Sequence, residues 1–425
     1  VAPTSRIEVD LTAISANVRT LRQALSLRPH AHLTNPASPA APAPETAVKI
    51  CAVLKADAYS LGAPRIAKRL GIAGVDMIAV YTPEQARALV ESAITTPILL
   101  LMPMHEFERS DALYRAATRG QLHLTIHDRD TLAAAISISD ALGMTLTVHL
   151  EIDTGMSRGG SAPRDALDLA ARISEHPRLA LGGVFNHFAC ADSDPDFTRR
   201  QSDLFSRWLA DARRFLPRHC LIHEANSCAA LRSSAYHRSM VRVGLALFGY
   251  AASDFADPEN FDFRDEAARL TPAVRWISHV VQIKRIDSGT TVGYASTWRS
   301  QRPTRLALVP VGYADGYPIA LSNRAKVGLD TSAGARAYPP VVGRVSMDQL
   351  MIDITDIPER DVRIGTTIEV IGADPDAPNH LPTLAAQAAM ISHELLLRLS
   401  PRLPRQYIAI ESPARSAITT GAIAV

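Results

Sequence analysis

The sequence predicts an α/β fold, a (β/α)8 TIM-type barrel followed by a mainly β C-terminal domain. Three observations carry that reading. Eight short apolar, β-prone runs alternate with helix-like stretches between residues 50 and 248. Polar side chains collect at one end of several of these runs. After about Phe261 the alternation gives way to strands joined by tight turns. A chain of 425 residues also suits two domains better than one.

In order along the chain, Ile7 to Ser26 reads as a short strand entering an amphipathic helix. Residues 27–46, rich in proline and alanine and without periodicity, read as a surface excursion. The eight runs follow at Ile50–Lys55, Met77–Tyr81, Pro97–Leu101, Leu122–Ile126, Leu146–Asp153, Leu181–Phe188, Cys220–Ser227 and Met240–Phe248. Helical stretches such as Thr82–Ser92 and Pro163–Glu175 separate them. The barrel is therefore expected over residues 11–260. Beyond it, Val274–Ile286, Leu306–Val311, Val341–Ile354 and Thr367–Ile371 are strand-like, with turns at Asp287-Ser-Gly and Ala314-Asp-Gly and one helical stretch around Leu381–Leu399. These place a mainly β domain over residues 261–425, joined by the N-terminal strand 1–10.

Composition narrows the function. With 45 basic and 43 acidic residues the net charge is only +2, which gives neither the concentrated basic surface of a nucleic-acid binder nor that of a membrane-surface protein. No apolar run reaches the roughly 18–20 residues that span a bilayer. Val1 to Asp10 lacks a basic segment followed by an apolar one, so any signal peptide is already missing from this chain. Cys51, Cys190, Cys220 and Cys228 form no CxxC pair and no zinc spacing. No metal is expected, and free thiols suit a reducing cytoplasm.

The chemistry lies at the strand ends. Lys55 closes the first run, in Val53-Leu-Lys-Ala-Asp-Ala-Tyr59, and so falls at the C-terminal mouth where such barrels keep their active sites. Partial burial there lowers an ammonium's pKa and lets the amine attack an aldehyde. Taken alone, Lys55 reads equally as a loop lysine, His187 as a core histidine, Arg158 as a surface cation and Gly244 as a turn. Yet the fifth run ends in Glu151-Ile-Asp-Thr-Gly-Met-Ser-Arg158, the sixth in Phe185-Asn-His-Phe188 and the seventh in Glu224-Ala-Asn-Ser227, and the eighth carries Arg242-Val-Gly-Leu245. Asn226, Ser227 and Gly244 follow the last two strands, the usual phosphate cradle of this fold. An aldehyde-reactive lysine beside a phosphate cradle points to pyridoxal phosphate.

The chain resembles alanine racemases, which are fold-type III pyridoxal-phosphate enzymes, over nearly its whole length. The matching blocks, in order, are Ala52-Val-Leu-Lys-Ala-Asp-Ala-Tyr59, Asp153-Thr-Gly-Met-Ser-Arg158, Asn186-His-Phe-Ala189, Ala225-Asn-Ser227 and Val241-Arg-Val-Gly-Leu245. Val292-Gly-Tyr294, Pro310-Val-Gly-Tyr-Ala-Asp-Gly-Tyr317 and Gly343-Arg-Val-Ser-Met-Asp348 complete the set. The resemblance implies a homodimer whose active sites join one subunit's barrel to Tyr294, Tyr313, Met347 and Asp348 of the other. It implies Lys55 as cofactor anchor and base, and Tyr294 as the opposite base, assisted by His187 and Arg158. It implies Arg242 on the ring nitrogen and Tyr59, Ser227, Gly244 and Leu245 on the phosphate. Arg158 and the Met347 backbone would receive the substrate, with Asp348 in support.

Three departures stand out. Ser60-Leu61 replace the family's Gly-His, Glu151 stands where many members carry a carbamylated lysine, and His393 stands where a tyrosine is usual. Glu151 is expected to supply the carbamate's negative charge and to steady Arg158. Histidine titrates near about 6.5, so a protonated His393 is expected to help hold the phosphate, less so as pH rises past that region. The expected activity is interconversion of L- and D-alanine, serving D-alanine biosynthesis. A broader racemase acting on serine and other small amino acids is the alternative. A non-catalytic pyridoxal-phosphate carrier lacks the β domain, and a decarboxylase on this barrel needs a catalytic cysteine for which no suitable position appears.

Overall fold

The computed structural model describes residues 4–26, 47–250 and 261–409, so the stretch 27–46 lies outside the described residues. The chain enters through β1 (Arg6–Asp10) and turns directly into α1 (Leu11–Ser26). Asp10 makes that turn, accepting the Thr12 and Ala13 N–H groups at 2.7 and 3.0 Å, the usual duty of a helix-capping aspartate. The helix buries Ile14, Asn17, Val18 and Leu21, a spacing that matches one helical face. Buried Asn17 ties it to the barrel's far end, donating to the Leu247 and Thr271 carbonyls and accepting from the Thr271 N–H.

The barrel strands are β2 (Lys49–Val53), β3 (Met77–Val80), β4 (Ile98–Leu100), β5 (Leu122–Ile126), β6 (Leu146–Glu151), β7 (Leu179–Phe185), β8 (Leu221–His223) and β9 (Met240–Val243). They form one eight-stranded sheet in the order β8-β7-β6-β5-β4-β3-β2-β9, every paired neighbour parallel. Helices pack outside, so strands such as β3 and β4 are buried throughout and read as unbroken apolar runs. No ladder joins β8 to β9. The seam is instead bridged by Ser239 N–H on the Ile222 carbonyl (3.0 Å) and Arg242 N–H on the Ala225 carbonyl (2.8 Å).

The strands are shorter than the apolar runs suggest, and the residues trimmed from their C-terminal ends are those with chemistry. Lys55 lies two positions beyond β2, and Asn226 and Ser227 lie beyond β8. In the C-terminal part, Val274–Ile286 is two strands, β10 (Val274–His279) and β11 (Gln282–Ile286), each in a different sheet. One sheet runs Thr367–Ile371, β10, β1, Arg405–Ile408; the other runs β11, Thr304–Val309, Leu350–Asp353, Val341–Val342. The expected run Val341–Ile354 is thus a hairpin whose connection carries Met347 and Asp348. The helical stretch near Leu381–Leu399 divides into Leu381–Gln387 and Ser392–Arg398, with Ala389 between them at φ 55°. Among the described residues no helix is long and apolar enough to cross a membrane.

Candidate active site

The backbone after β2 is unusual. Ala56 through Ser60 all have positive φ, between 52° and 65°, so the chain turns once in the left-handed sense directly after Lys55. Such a conformation is costly for residues with a Cβ and persists only where the surroundings impose it. Here the surroundings are the C-terminal strand Arg405–Ile408. Arg405 Nε donates to the Ser60 carbonyl (2.9 Å) and Tyr407 Oη to the Leu61 carbonyl (3.0 Å), while Asp57 accepts the Ala63 N–H at 2.7 Å. The departures Ser60 and Leu61 therefore contribute carbonyls to a seam between the two parts of the chain. The turn buries Tyr59 and leaves Lys55 at the mouth, open to solvent on one side. Burial on its other sides, and then Arg158, lower the Lys55 pKa from its ordinary value.

Arg242, buried on β9, is the centre of the polar network. Nη1 donates to His223 Nδ1 (3.0 Å) and to the His223 carbonyl (3.0 Å). Nη2 donates to the Asn186 carbonyl (2.8 Å), the Glu224 carbonyl (3.3 Å) and His187 Nδ1 (3.1 Å). The Nε–H makes none of these bonds. Burial, then Arg242, Arg158 and Lys55, push His187 down to about 3, so its ring is neutral and accepts at Nδ1. Its proton therefore sits on Nε2.

Beside this network Asn226 caps the turn Ser227–Arg232 through the Ala229 N–H, and Ser227 Oγ accepts the Gly244 N–H at 2.9 Å. Tyr59 Oη leans on Gly244 so closely that a Cβ there would stand 2.1 Å from it, and only glycine fits. Tyr59 also lies 5.6 Å, ring to ring, from His393, which faces this pocket from the helix Ser392–Arg398. Burial first, then Lys55, lower the His393 pKa. The expectation of a protonated imidazole near neutrality is thereby corrected: its titration is moved toward acid.

Arg158 sits on a loop ordered by Asp153, whose Oδ1 accepts the Gly155, Met156 and Ser157 N–H groups at 2.9, 2.9 and 3.1 Å. Glu151 does not pair with Arg158 as expected. Its Oε2 lies 2.9 Å from His127 Nδ1, a residue just past β5 that the sequence reading passed over. Burial opposes charge on His127. The hydrogen bond and charge of Glu151, the Leu101 carbonyl at Nε2 and Asp128 outweigh it, and the His127 pKa is raised. The loop is stitched to this pair: Ser161 Oγ donates to the His127 carbonyl (2.6 Å) and Ser161 N–H to the Glu151 carbonyl (3.0 Å). Glu151 and His127 thus hold the base of the loop that carries Arg158 through their carbonyls.

Tyr294, Tyr313 and Met347 lie on the C-terminal part, 70%, 42% and 54% exposed. Tyr313 N–H and Ala314 N–H bind the Ser346 and Met347 carbonyls, holding these two turns together. Asp348 pairs with Arg402 Nη2 at 2.8 Å, and the same arginine holds buried Asp315 at 2.7 Å through Nε. Among the described residues no hydrogen bond, ion pair or ring contact joins Tyr294, Tyr313 or Met347 to Lys55, Arg158 or His187. One chain therefore brings together the barrel residues, and separately this exposed group.

Residues 38–252 match the family model of the alanine racemase N-terminal domain, and residues 273–407 that of the alanine racemase C-terminal domain. The chain belongs to the alanine racemase family. It is 32% identical over 403 residues to the alanine racemase of Cutibacterium acnes, covering 94% of this chain and 96% of that one. It is 33% identical over 412 residues to that of Sorangium cellulosum, covering 95% and 98%. Among solved structures, the alanine racemase of D-cycloserine-producing Streptomyces lavendulae superposes with TM-score 0.79 at 28% identity over 97% of this chain and 99% of that one. That of Bartonella henselae, with covalently bound pyridoxal phosphate, gives 0.74 at 27% identity over 96% and 100%. Family members are isomerases acting on an amino acid.

The Glu151–His127 pair yields a test within this alanine racemase family member. Glu151→Gln keeps the shape and removes the charge. KM for the amino acid should rise about fivefold with kcat little changed, on the order of 1 kcal/mol for a partly exposed ion pair. Because the folded His127 pKa is raised, the pair's contribution is complete below the ordinary histidine range and is lost as pH climbs through the raised value. KM of the parent should therefore increase toward alkaline pH, and the variant should show a flatter profile. An unchanged KM at every pH rejects the role.

Proposed function

We propose that the chain is a pyridoxal-phosphate-dependent alanine racemase, working as a homodimer with two bases, Lys55 and the partner subunit's Tyr294. The observation that carries this reading is the gathering of Lys55, Arg158, His187 and Arg242 at one mouth of the barrel, beside a glycine-walled cradle. The residues fit the cofactor. Lys55 offers an amine with a lowered pKa. Ser227, Gly244, Leu245 and the Tyr59 phenol lie together where the backbone begins a turn, and these are the groups that would hold a phosphate. The unused Arg242 Nε–H is available to a ring nitrogen.

When bound, pyridoxal phosphate supplies an electron sink for the substrate Cα. Arg242 keeps its proton, so it would offer the ring nitrogen a hydrogen bond without protonating it, which would temper that sink and favour return of the proton to Cα. Arg158 and the Met347 backbone of the partner subunit orient the carboxylate. Lys55 Nζ exchanges a proton on one face and the partner subunit's Tyr294 Oη on the other, so a proton removed from one side returns on the opposite side. The His187 Nε2–H, fixed by Arg242 on its other nitrogen, is a donor for that phenol oxygen. Burial pushes the Cys51, Cys220 and Cys228 thiols up to about 12, which disfavours a thiol-dependent decarboxylase. The C-terminal domain counts against a non-catalytic carrier.

The test is incubation of the cofactor-loaded protein with a panel of L-amino acids, scoring D-enantiomer formation. D-alanine is expected as the fastest product, and its absence rejects the reading. His393 governs the margin over serine, because an imidazole beside Tyr59 is smaller than a phenol. His393→Tyr should lower kcat/KM for serine relative to alanine by about 10-fold, the low end of a methylene-sized pocket change. Since His393 is lowered and neutral, cofactor retention should be flat from neutral pH upward and strengthen only on acidification. A serine-to-alanine ratio unaltered in His393→Tyr removes it from specificity.

A further inference from the structure

Behind Arg242 runs a line of imidazoles that the proposed reaction does not touch. His123 on β5, His149 on β6 and His223 at the end of β8 share the barrel interior. His123 Nδ1 lies 2.9 Å from His149 Nε2, His149 Nδ1 lies 3.0 Å from His223 Nε2, and His223 Nδ1 lies 3.0 Å from Arg242 Nη1. Barrel interiors are ordinarily filled by branched aliphatic side chains. His149 and His223 are instead fully buried, where each ring nitrogen needs a partner.

The line skips β7, and β7 makes the room for it. The β6–β7 ladder slips between Val148 and His149, so that Val148 faces Leu181, His149 faces Gly183, and Gly182 is the extra residue of a bulge. A Cβ at Gly183 would stand 2.4 Å from His149 Nδ1. Any side chain there would cut the line.

Donor logic fixes its direction. A guanidinium has only donors, so His223 Nδ1 must accept. His223 Nε2–H then donates to His149 Nδ1, His149 Nε2–H donates to His123 Nδ1, and His123 Nε2–H is left for the Gly120 carbonyl. All three rings carry the same tautomer, with lone pairs aimed toward Arg242. Burial above all keeps them neutral: it holds His149 and His223 well below the ordinary histidine value, and draws His123 down to about 4 against the Gly120 carbonyl. Phe185 closes the assembly, stacking on His223 at 4.8 Å and lying 5.1 Å from the Arg242 guanidinium carbon.

We propose that His149 and His123 are positioning residues for Arg242: their tautomer-locked line keeps His223 an acceptor, holds both Nη groups inward, and so aims the Nε–H at the ring nitrogen of pyridoxal phosphate. The inference rests on the cofactor reading above. Outer hydrogen-bond partners that orient a functional imidazole have this effect in metal sites, and the same logic applies to a guanidinium.

Three variants and two kinds of spectrum test it. His149→Leu breaks the line with a side chain of similar size, whereas His149→Gln can accept through Oε1 and donate through Nε2. Gly183→Ala keeps all three histidines in the sequence but puts a Cβ against the His149 ring, which must move out of the line. In His149→Leu, kcat for alanine should fall about 10- to 100-fold, the range for losing such an outer partner, with KM nearly unchanged. The absorption band of the added cofactor should shift. Gly183→Ala should resemble it, and His149→Gln should restore both kcat and the band. Equal behaviour of the leucine and glutamine variants would reduce the line to packing. Independently of any cofactor, 15N-histidine solid-state spectra of the parent protein should show His123, His149 and His223 neutral with the proton on Nε2. A charged ring or an Nδ1–H tautomer among them overturns the line itself. Failure of the parent to take up pyridoxal phosphate would overturn the aim of Arg242 together with the cofactor reading, with the spectra still deciding the tautomers.

Discussion

Lys55→Ala should lose racemisation by about 10⁴-fold, the upper end for a positioned acid–base group, because anchor and base vanish together. The amine is suited to both proposed duties for one physical reason. Partial burial and the Arg158 charge disfavour the ammonium, so a larger fraction of Lys55 is free amine at neutral pH than of a surface lysine. The left-handed turn at Ala56–Ser60, locked by Arg405 and Tyr407, fixes the backbone that follows Lys55. Borohydride reduction of the loaded protein followed by peptide mass mapping should place the adduct on Lys55. Lys49 is the internal control, since it opens β2 at the opposite end from the mouth. An adduct on Lys49, or none, would overturn the cofactor assignment, as would a Lys55→Ala protein of near-parental activity.

The barrel was legible because its strands are buried on both faces and therefore read as plain apolar runs, and because its polar residues cluster just after those runs. What escaped was what depends on pairing across the barrel. His127 follows the Leu122–Ile126 run as visibly as Glu151 stands near the end of the Leu146–Asp153 run, but nothing local says that the two meet at 2.9 Å. His123, His149 and His223 were hidden among aliphatic neighbours on three different strands. The one available signal was Gly182-Gly183 in the midst of a strand, which marks a bulge or a close approach. His393 could be placed near the cofactor only by resemblance, and its lowered pKa needed the packing of Tyr59 and Lys55 around it. The two hairpin strands at Val341–Val342 and Leu350–Asp353 fused in the sequence because the turn between them contains Val345, which is buried like a strand residue, and Met347, an apolar residue that is left exposed.

That exposure bears on the second large effect, which concerns two variants mixed together. Lys55→Ala and Tyr294→Phe homodimers are each expected to be nearly inactive, and activity should reappear when their subunits exchange. In a mixed dimer with shared sites, one site combines intact Lys55 with intact Tyr294, and the other has neither. Random exchange in an equal mixture makes half the dimers mixed and repairs one site in each, so about a quarter of the parental activity should return. The physical argument for sharing is that Tyr294, Tyr313 and Met347 stand on adjoining turns, largely exposed, while the charges that shift Lys55 and His187 come only from the barrel's own Arg158, Arg242 and Lys55. A phenol 70% exposed in its own chain is not positioned to exchange protons selectively, and a second copy seated on those turns would both bury it and close the barrel mouth against water. Native mass spectrometry of differentially labelled subunits should confirm that mixed dimers form. If they form and no activity returns, each site takes both bases from one chain, and the shared site is wrong.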